Sequence, residues 1–179
     1  MMTDQQKVPI PFPESYWVIP GLFLAGQAPS GYDEEESRTN ISALIRAGID
    51  VIIDLTQPGE TYFAYPSILI DEASQHQKSV VYKNYPIKDR MISAPTVMKK
   101  ILDEIDTQTK QGRRVYVHCL AGIGRTGTVV GCYLVRHGMN NEEVLGEIQH
   151  MRKDVPTAWV RSPESDEQVK LIQSWRKGQ

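Results

Sequence analysis

Apolar residues recur along the chain in two rhythms, short runs and stretches of helical period. Between residues 16 and 26, YWVIPGLFLAG sets aromatic and branched side chains on either side of Pro20-Gly21, the pattern of two short strands around a turn. A helix is predicted over roughly 34–47, with Gly48 as its stop. VIID (51–54) is a short β-branched run suited to a strand buried on both faces. VVYKNYPI (80–87) reads as the next strand. Ser93 and Pro95 then open a helix whose apolar positions Val97, Ile101 and Ile105 recur at a spacing of four, closed by Gly112. After the strand RVYVH (114–118), residues 124–137 are apolar nearly all round (Val129, Val130, Cys132, Tyr133, Leu134, Val135), which marks a central buried helix ended by Gly138. Asn140 or Asn141 is expected to cap a helix carrying Val144, Leu145, Ile148 and Met151. Ser162-Pro163-Glu164 is expected to open the last helix, with Val169, Ile172 and Trp175 on its inner face.

Strands alternating with helices predict an α/β fold, a mostly parallel central sheet flanked by helices on both faces. No repeat or Gly/Ser linker divides the sequence, so residues 1–179 are expected to form one domain. In open sheets of this kind ligands bind beyond the carboxyl ends of the strands, which directs attention to the turn after RVYVH.

Composition narrows the function classes. Twenty basic against 22 acidic residues give a net charge of -2, and the longest block of like charge is Glu34, Glu35, Glu36, so a nucleic-acid binder or a polybasic membrane anchor is disfavoured. Two cysteines, Cys119 and Cys132, are too few for a disulfide framework and lack the paired spacing of a zinc site. The start, MMTDQQKVPIPFP, has no apolar core before a small-residue cleavage site, and no run approaches a membrane span. A cytoplasmic, monomeric protein without metal or cofactor is expected.

The turn itself reads HCLAGIGRTGT, residues 118–128, and joins a strand directly to the buried helix. Backbone N–H groups of a tight loop and the positive end of the helix dipole cradle a phosphate-sized anion, phosphate, sulfate or vanadate. Leu120, Ala121, Gly122, Ile123 and Gly124 would form that cradle, the two glycines letting the chain close around the anion. Arg125 adds a planar fork for two equatorial oxygens. The same donors stabilise a thiolate at Cys119, which could attack phosphorus to form a phosphocysteine. Thr126 is placed to donate a hydrogen bond to that sulfur. A bare Cys-x5-Arg arises by chance in roughly one such chain in ten, but the two glycines and the threonine lower this to roughly 3 in 100,000. Cys132, in the helix, reads as core packing.

HCLAGIGRTGT resembles the signature loop of the cysteine-dependent protein tyrosine phosphatase superfamily, in its dual-specificity branch, and compact bacterial members in particular. YWVIPGLFLAG, VIIDLTQPGE, YPIKDR and SPESDEQ support the resemblance by order and spacing. It implies a general acid, an aspartate on a loop after an earlier strand. Asp89, thirty residues before Cys119, matches, with Asp71, Glu72 and Asp54 in reserve. Gln168 resembles the glutamine that positions water for hydrolysis of the phosphoenzyme. His118 cannot readily serve Cys119 as a base, since neighbours on a strand face opposite ways, and the resemblance gives it a loop-bracing role. His76, His137 and His150 have no metal-like spacing.

The loop interior has no lysine of the kind that lipid- and inositol-phosphate members often carry, which favours a monophosphate ester on a less charged substrate. Phosphotyrosine, with phosphoserine or phosphothreonine, on protein or peptide is the expected substrate class. Tyr62, Phe63 and Tyr65 are expected to border the site, where an aromatic ring could pack on a phenyl group. The alternatives are phosphatase action on a nucleotide, an RNA 5′-triphosphate or an inositol phosphate, or a binding module without turnover.

Overall fold

The computed structural model describes residues 8–179; the reading of the amino-terminal stretch falls partly outside them. The elements run β1 (Ser15–Ile19), β2 (Phe23–Gly26), α1 (Glu34–Arg46), β3 (Ile49–Asp54), α2 (Pro66–Gln75), β4 (Val81–Asn84), α3 (Pro95–Lys110), β5 (Arg114–His118), α4 (Gly124–Arg136), α5 (Val144–Met151) and α6 (Asp166–Ser174). The sheet has the order β1-β2-β5-β3-β4. β1 and β2 form an antiparallel hairpin, and every other pairing is parallel.

Alternation along the strands divides the core in two. Phe23, Ala25, Val51, Ile53, Val115 and Val117 face a cluster with α3, α4, α5 and α6. Leu24, Ile52 and Tyr116 face the other way, onto α1 and α2. The central helix α4 packs closely enough on α6 that a Cβ at Gly131 would lie 2.3 Å from Ile172. Its apolar circumference is buried apart from Leu134, which is half-buried. α1, α3 and α4 each stop two residues before the glycine expected to end them.

Four local expectations are corrected. Residues 66–75, to which the sequence pattern assigned no element, form α2, and Tyr65, expected to border the site, is buried at its start. The strand at 80–87 is regular only over Val81–Asn84, although Tyr85 N and Ile87 N still donate to Asp54 O and Leu55 O at 2.8 and 3.0 Å. α6 opens at Ser165, whose side chain and that of Gln168 form a capping box. The Ser162 hydroxyl donates instead to the Ile123 carbonyl, 2.7 Å away. α5 has no side-chain cap: the Asn140 side chain accepts from Glu142 N, and Asn141 donates to the last carbonyls of α6, Ile172, Gln173 and Trp175. Among the described residues no helix is long and apolar enough to cross a membrane.

Candidate active site

β5 delivers Cys119 at its carboxyl end and α4 begins five residues later, so residues 119–125 wrap from one element to the other within a single turn. The scaffold holds this loop by its carbonyls. His118 O accepts from Leu55 N at 2.9 Å and Leu120 O from Ala28 N at 3.0 Å. Cys119 O accepts from the His118 ring at 3.1 Å, and Ile123 O from Ser162. With the carbonyls engaged outside, the N–H groups of residues 120–125 meet no protein acceptor among the described residues. Buried backbone donors ordinarily find partners, so such a cluster at a helix N-terminus is built for an anion.

The glycines of the loop make room for protein as much as for an anion. Gly122 has φ +71, and a Cβ there would meet the backbone of Gly26 at 2.4 Å. Gly124 lies under Gln168 and Glu164, whose side chains a Cβ would approach at 3.1 and 3.3 Å. Leu120 and Ala121 stand at the rim, while Ile123 is buried.

Arg125 is almost wholly buried, and its guanidinium is held from three sides. Nη1 donates to Glu60 Oε2 at 2.8 Å, Ile87 O at 2.9 Å and Leu55 O at 3.4 Å. Nη2 donates to Glu60 Oε1 and to Asp89 Oδ1, the latter at 3.0 Å. Nε alone has no partner. Glu60 is the residue the sequence reading missed. It follows β3 and the Pro58-Gly59 turn, at the same sheet end as Cys119, which was the available signal. Hydrogen bonding to Arg125 holds its carboxyl below the ordinary value.

Of the candidate acids, only Asp89 reaches the arginine, from an exposed position beside Arg90. Asp71 and Glu72 lie on α2 and pair with Arg38 at 3.5 and 3.2 Å. Asp54 is buried beneath the loop, accepting from Thr56 and from Tyr82 at 2.8 Å, with the Tyr65 hydroxyl 3.4 Å away. The expected bond from Thr126 to the sulfur is absent: its hydroxyl faces the Gly26 carbonyl at 3.5 Å, because the first turn of α4 packs on the end of β2. Gln168 is buried with its amide committed, Oε1 accepting from Glu164 N and Ser165 N and Nε2 donating to Met91 O at 3.2 Å. It thus ties α6 to the segment after Asp89.

His118 braces the loop from beneath. A carbonyl can only accept, so Nδ1, facing Cys119 O, carries the proton; in the neutral ring Nε2 then accepts from the Tyr65 hydroxyl at 2.6 Å. Burial pushes this imidazole below its ordinary pKa, against the opposing pull of Asp54, 3.8 Å away. His76 and His137 bond to Ser42 and Asp106. Cys132 is buried in the core, and burial raises its thiol.

Comparison with known proteins places this arrangement. Residues 13–172 match the family described as "Swiss Army Knife protein, DSP-PTPase phosphatase domain". A mouse protein tyrosine phosphatase domain-containing protein 1 is 34% identical over 130 residues, 68% of this chain and 17% of that protein. An Arabidopsis thaliana phosphatidylglycerophosphate phosphatase, PTPMT2, is 30% identical over 121 residues, 66% of this chain and 49% of that protein. The chain thus spans less than half the length of these curated relatives. Among solved structures, Tk-PTP in its active form aligns over 90% of this chain and 95% of its own, with a TM-score of 0.67 at 21% identity, a likeness of fold. The family match covers most of the sequence and contains the whole Cys119–Arg125 loop with its scaffold: the chain belongs to the DSP-PTPase phosphatase domain family, within the dual-specificity-like branch of the cysteine-dependent protein tyrosine phosphatase superfamily.

Proposed function

We propose that residues 1–179 act as one catalytic domain hydrolysing phosphate monoesters of phosphoprotein, phosphotyrosine foremost and phosphoserine or phosphothreonine with it, through a phosphocysteine. The observation that carries this reading is the set of unpartnered donors around Cys119, the N–H groups of residues 120–125 and Nε of Arg125. In the proposed first step the thiolate of Cys119 attacks phosphorus, the S–P bond forms and the P–O ester bond breaks. Asp89 gives its proton to the departing oxygen. Water then attacks the phosphocysteine, returns a proton to Asp89 and releases phosphate and the thiolate. The loop donors and Arg125 stabilise the equatorial oxygens throughout.

Charge supports phosphoprotein as the substrate. The loop side chains Leu120, Ala121 and Ile123 carry none, so the loop offers a polyanionic head group no cationic side chain beyond Arg125. The similarity to a phosphatidylglycerophosphate phosphatase favours a second reading, a lipid phosphate monoester. The test is turnover, in excess chelator, of phosphotyrosyl and phosphoseryl peptides against phosphatidylglycerophosphate, phosphoinositides and nucleotides. The proposal expects the peptides to lead in kcat/KM; leadership by a lipid phosphate, or dependence on added metal, contradicts it.

A further inference from the structure

Beside the loop, on the side of β2 away from Asp89, lies a groove of about 270 Å³ floored by Leu120, Ala121 and Ala28. Its wall is a pair of tyrosines from separate connections, Tyr32 and Tyr62, with ring centroids 5.2 Å apart and planes tilted by 43°. Both are largely in water, 79% and 67% exposed, although two such rings have ample apolar surface to bury. The connections are pinned to each other: Ser30 accepts from Phe63 N at 3.0 Å and donates to Phe63 O at 3.3 Å. The two connections that carry the rings are therefore tied together beside them.

The charged residue of the lining is Glu36. One carboxylate oxygen, Oε2, accepts from Tyr32 N at 2.8 Å, which orients the group, and the other has no partner among the described residues. Glu36 belongs to the run Asp33, Glu34, Glu35, Glu36 that opens α1, and among the described residues only Glu34 of the four forms an ion pair, with Arg38. Aromatic faces with an adjacent, oriented and unneutralised carboxylate match a guanidinium or ammonium on a long apolar stem.

We infer that this groove is a specificity subsite for a basic side chain, arginine or lysine, near the phosphorylated residue of a peptide substrate. The inference rests on the phosphoprotein reading above. The stem lies along Tyr32 and Tyr62, and the cationic head meets Glu36. Because Leu120 and Ala121 belong both to the catalytic loop and to the groove floor, a peptide whose phosphate sits in the loop passes directly over it. A small aryl phosphate carries no basic side chain to occupy it.

The test uses phosphopeptides with Arg, Ala or Glu placed in turn at each position near the phosphoresidue, with a small aryl phosphate as reference. For the wild-type chain, kcat/KM for the best Arg peptide should exceed that of its Glu counterpart at least tenfold, and the gap should shrink as salt is raised. Glu36→Gln keeps an acceptor for Tyr32 N and removes only the charge; it should erase most of the preference. Tyr32→Ala with Tyr62→Ala should lower turnover of the Arg peptide toward that of the Ala peptide. Glu36→Gln should hydrolyse the aryl phosphate within about twofold of wild type, which reports that the loop is intact. Equal rates on Arg and Glu peptides, or a preference that survives both variants, would overturn the subsite and leave the phosphoprotein reading standing. Aryl phosphate turnover with no peptide hydrolysed would remove that reading and the subsite with it.

Discussion

Both carboxylate oxygens of Glu60 accept from the terminal nitrogens of Arg125, so the guanidinium is oriented before any anion enters the loop. Nη2 is shared with Asp89, whereas Nε is left free. The arginine is thus pre-set by one carboxylate and touched by a second with a separate task. Glu60→Ala should lower kcat/KM by about 10- to 100-fold for good and poor leaving groups alike, the scale of a charge-assisted hydrogen bond of roughly 1.5–3 kcal/mol. Steady-state kinetics over an aryl phosphate series will read it. A loss that grows with leaving-group pKa would instead make Glu60 the acid.

The same pair predicts an acid limb of stability. Glu60 has a carboxyl pKa lowered in the folded chain, so its contribution is present above the unfolded value near 4.5 and is lost as pH falls through the lower folded value. Glu60→Gln should flatten the fall in unfolding free energy below about pH 4.5. Denaturant titrations at several pH values check this, and parallel curves for variant and wild type would show that the pair does not couple to folding.

Asp89 stands exposed at the mouth, against Arg125. With Asp89 as the acid, Asp89→Asn should lower kcat by roughly 10²–10⁴-fold for an alkyl phosphate and progressively less for better leaving groups. Steady-state kinetics over a series of alkyl and aryl phosphates reads it, and a uniform loss would make Asp89 a structural residue.

An ammonium cannot reproduce the planar fork that meets Glu60 and Asp89 together, so Arg125→Lys should be nearly as damaging as removal of the side chain. A modest change confined to KM would limit Arg125 to uniform substrate binding.

Beneath the loop, Tyr65→Phe leaves His118 Nε2 buried without its donor. The expected cost is about 1–3 kcal/mol of stability, with activity falling less than stability. Thermal unfolding reads the first and aryl phosphate turnover the second; an unchanged midpoint would remove the brace from the account.

The parts legible in the sequence were those written in local pattern. The all-round apolar α4 and the run VIID could only be central, and HCLAGIGRTGT between strand and helix marked the loop. α2 was hidden because Pro66 opens it with no side-chain cap and its Ile68, Leu69, Ile70 run carries no clear helical period, Ile70 being exposed. Ser162 looked like a cap because its hydroxyl is free in the sequence; only the fold brings Ile123 to it. Glu60 could not be read as the arginine's partner since the pairing spans 65 residues and depends on β3 lying beside β5. Thr126 and Gln168 carried family-like spacing, but the spacing did not specify what their side chains would touch.

The central claim is a covalent bond between Cys119 and phosphorus. The direct measurement is rapid denaturation of the Asp89→Asn variant during turnover of a radiolabelled aryl phosphate whose leaving group departs without protonation, followed by mass spectrometry of the digested chain. Label on the peptide containing Cys119, prevented when excess vanadate is present from the start and absent from Cys119→Ser, is the predicted result. Turnover with no label on the chain, or label on any other residue, would contradict the account.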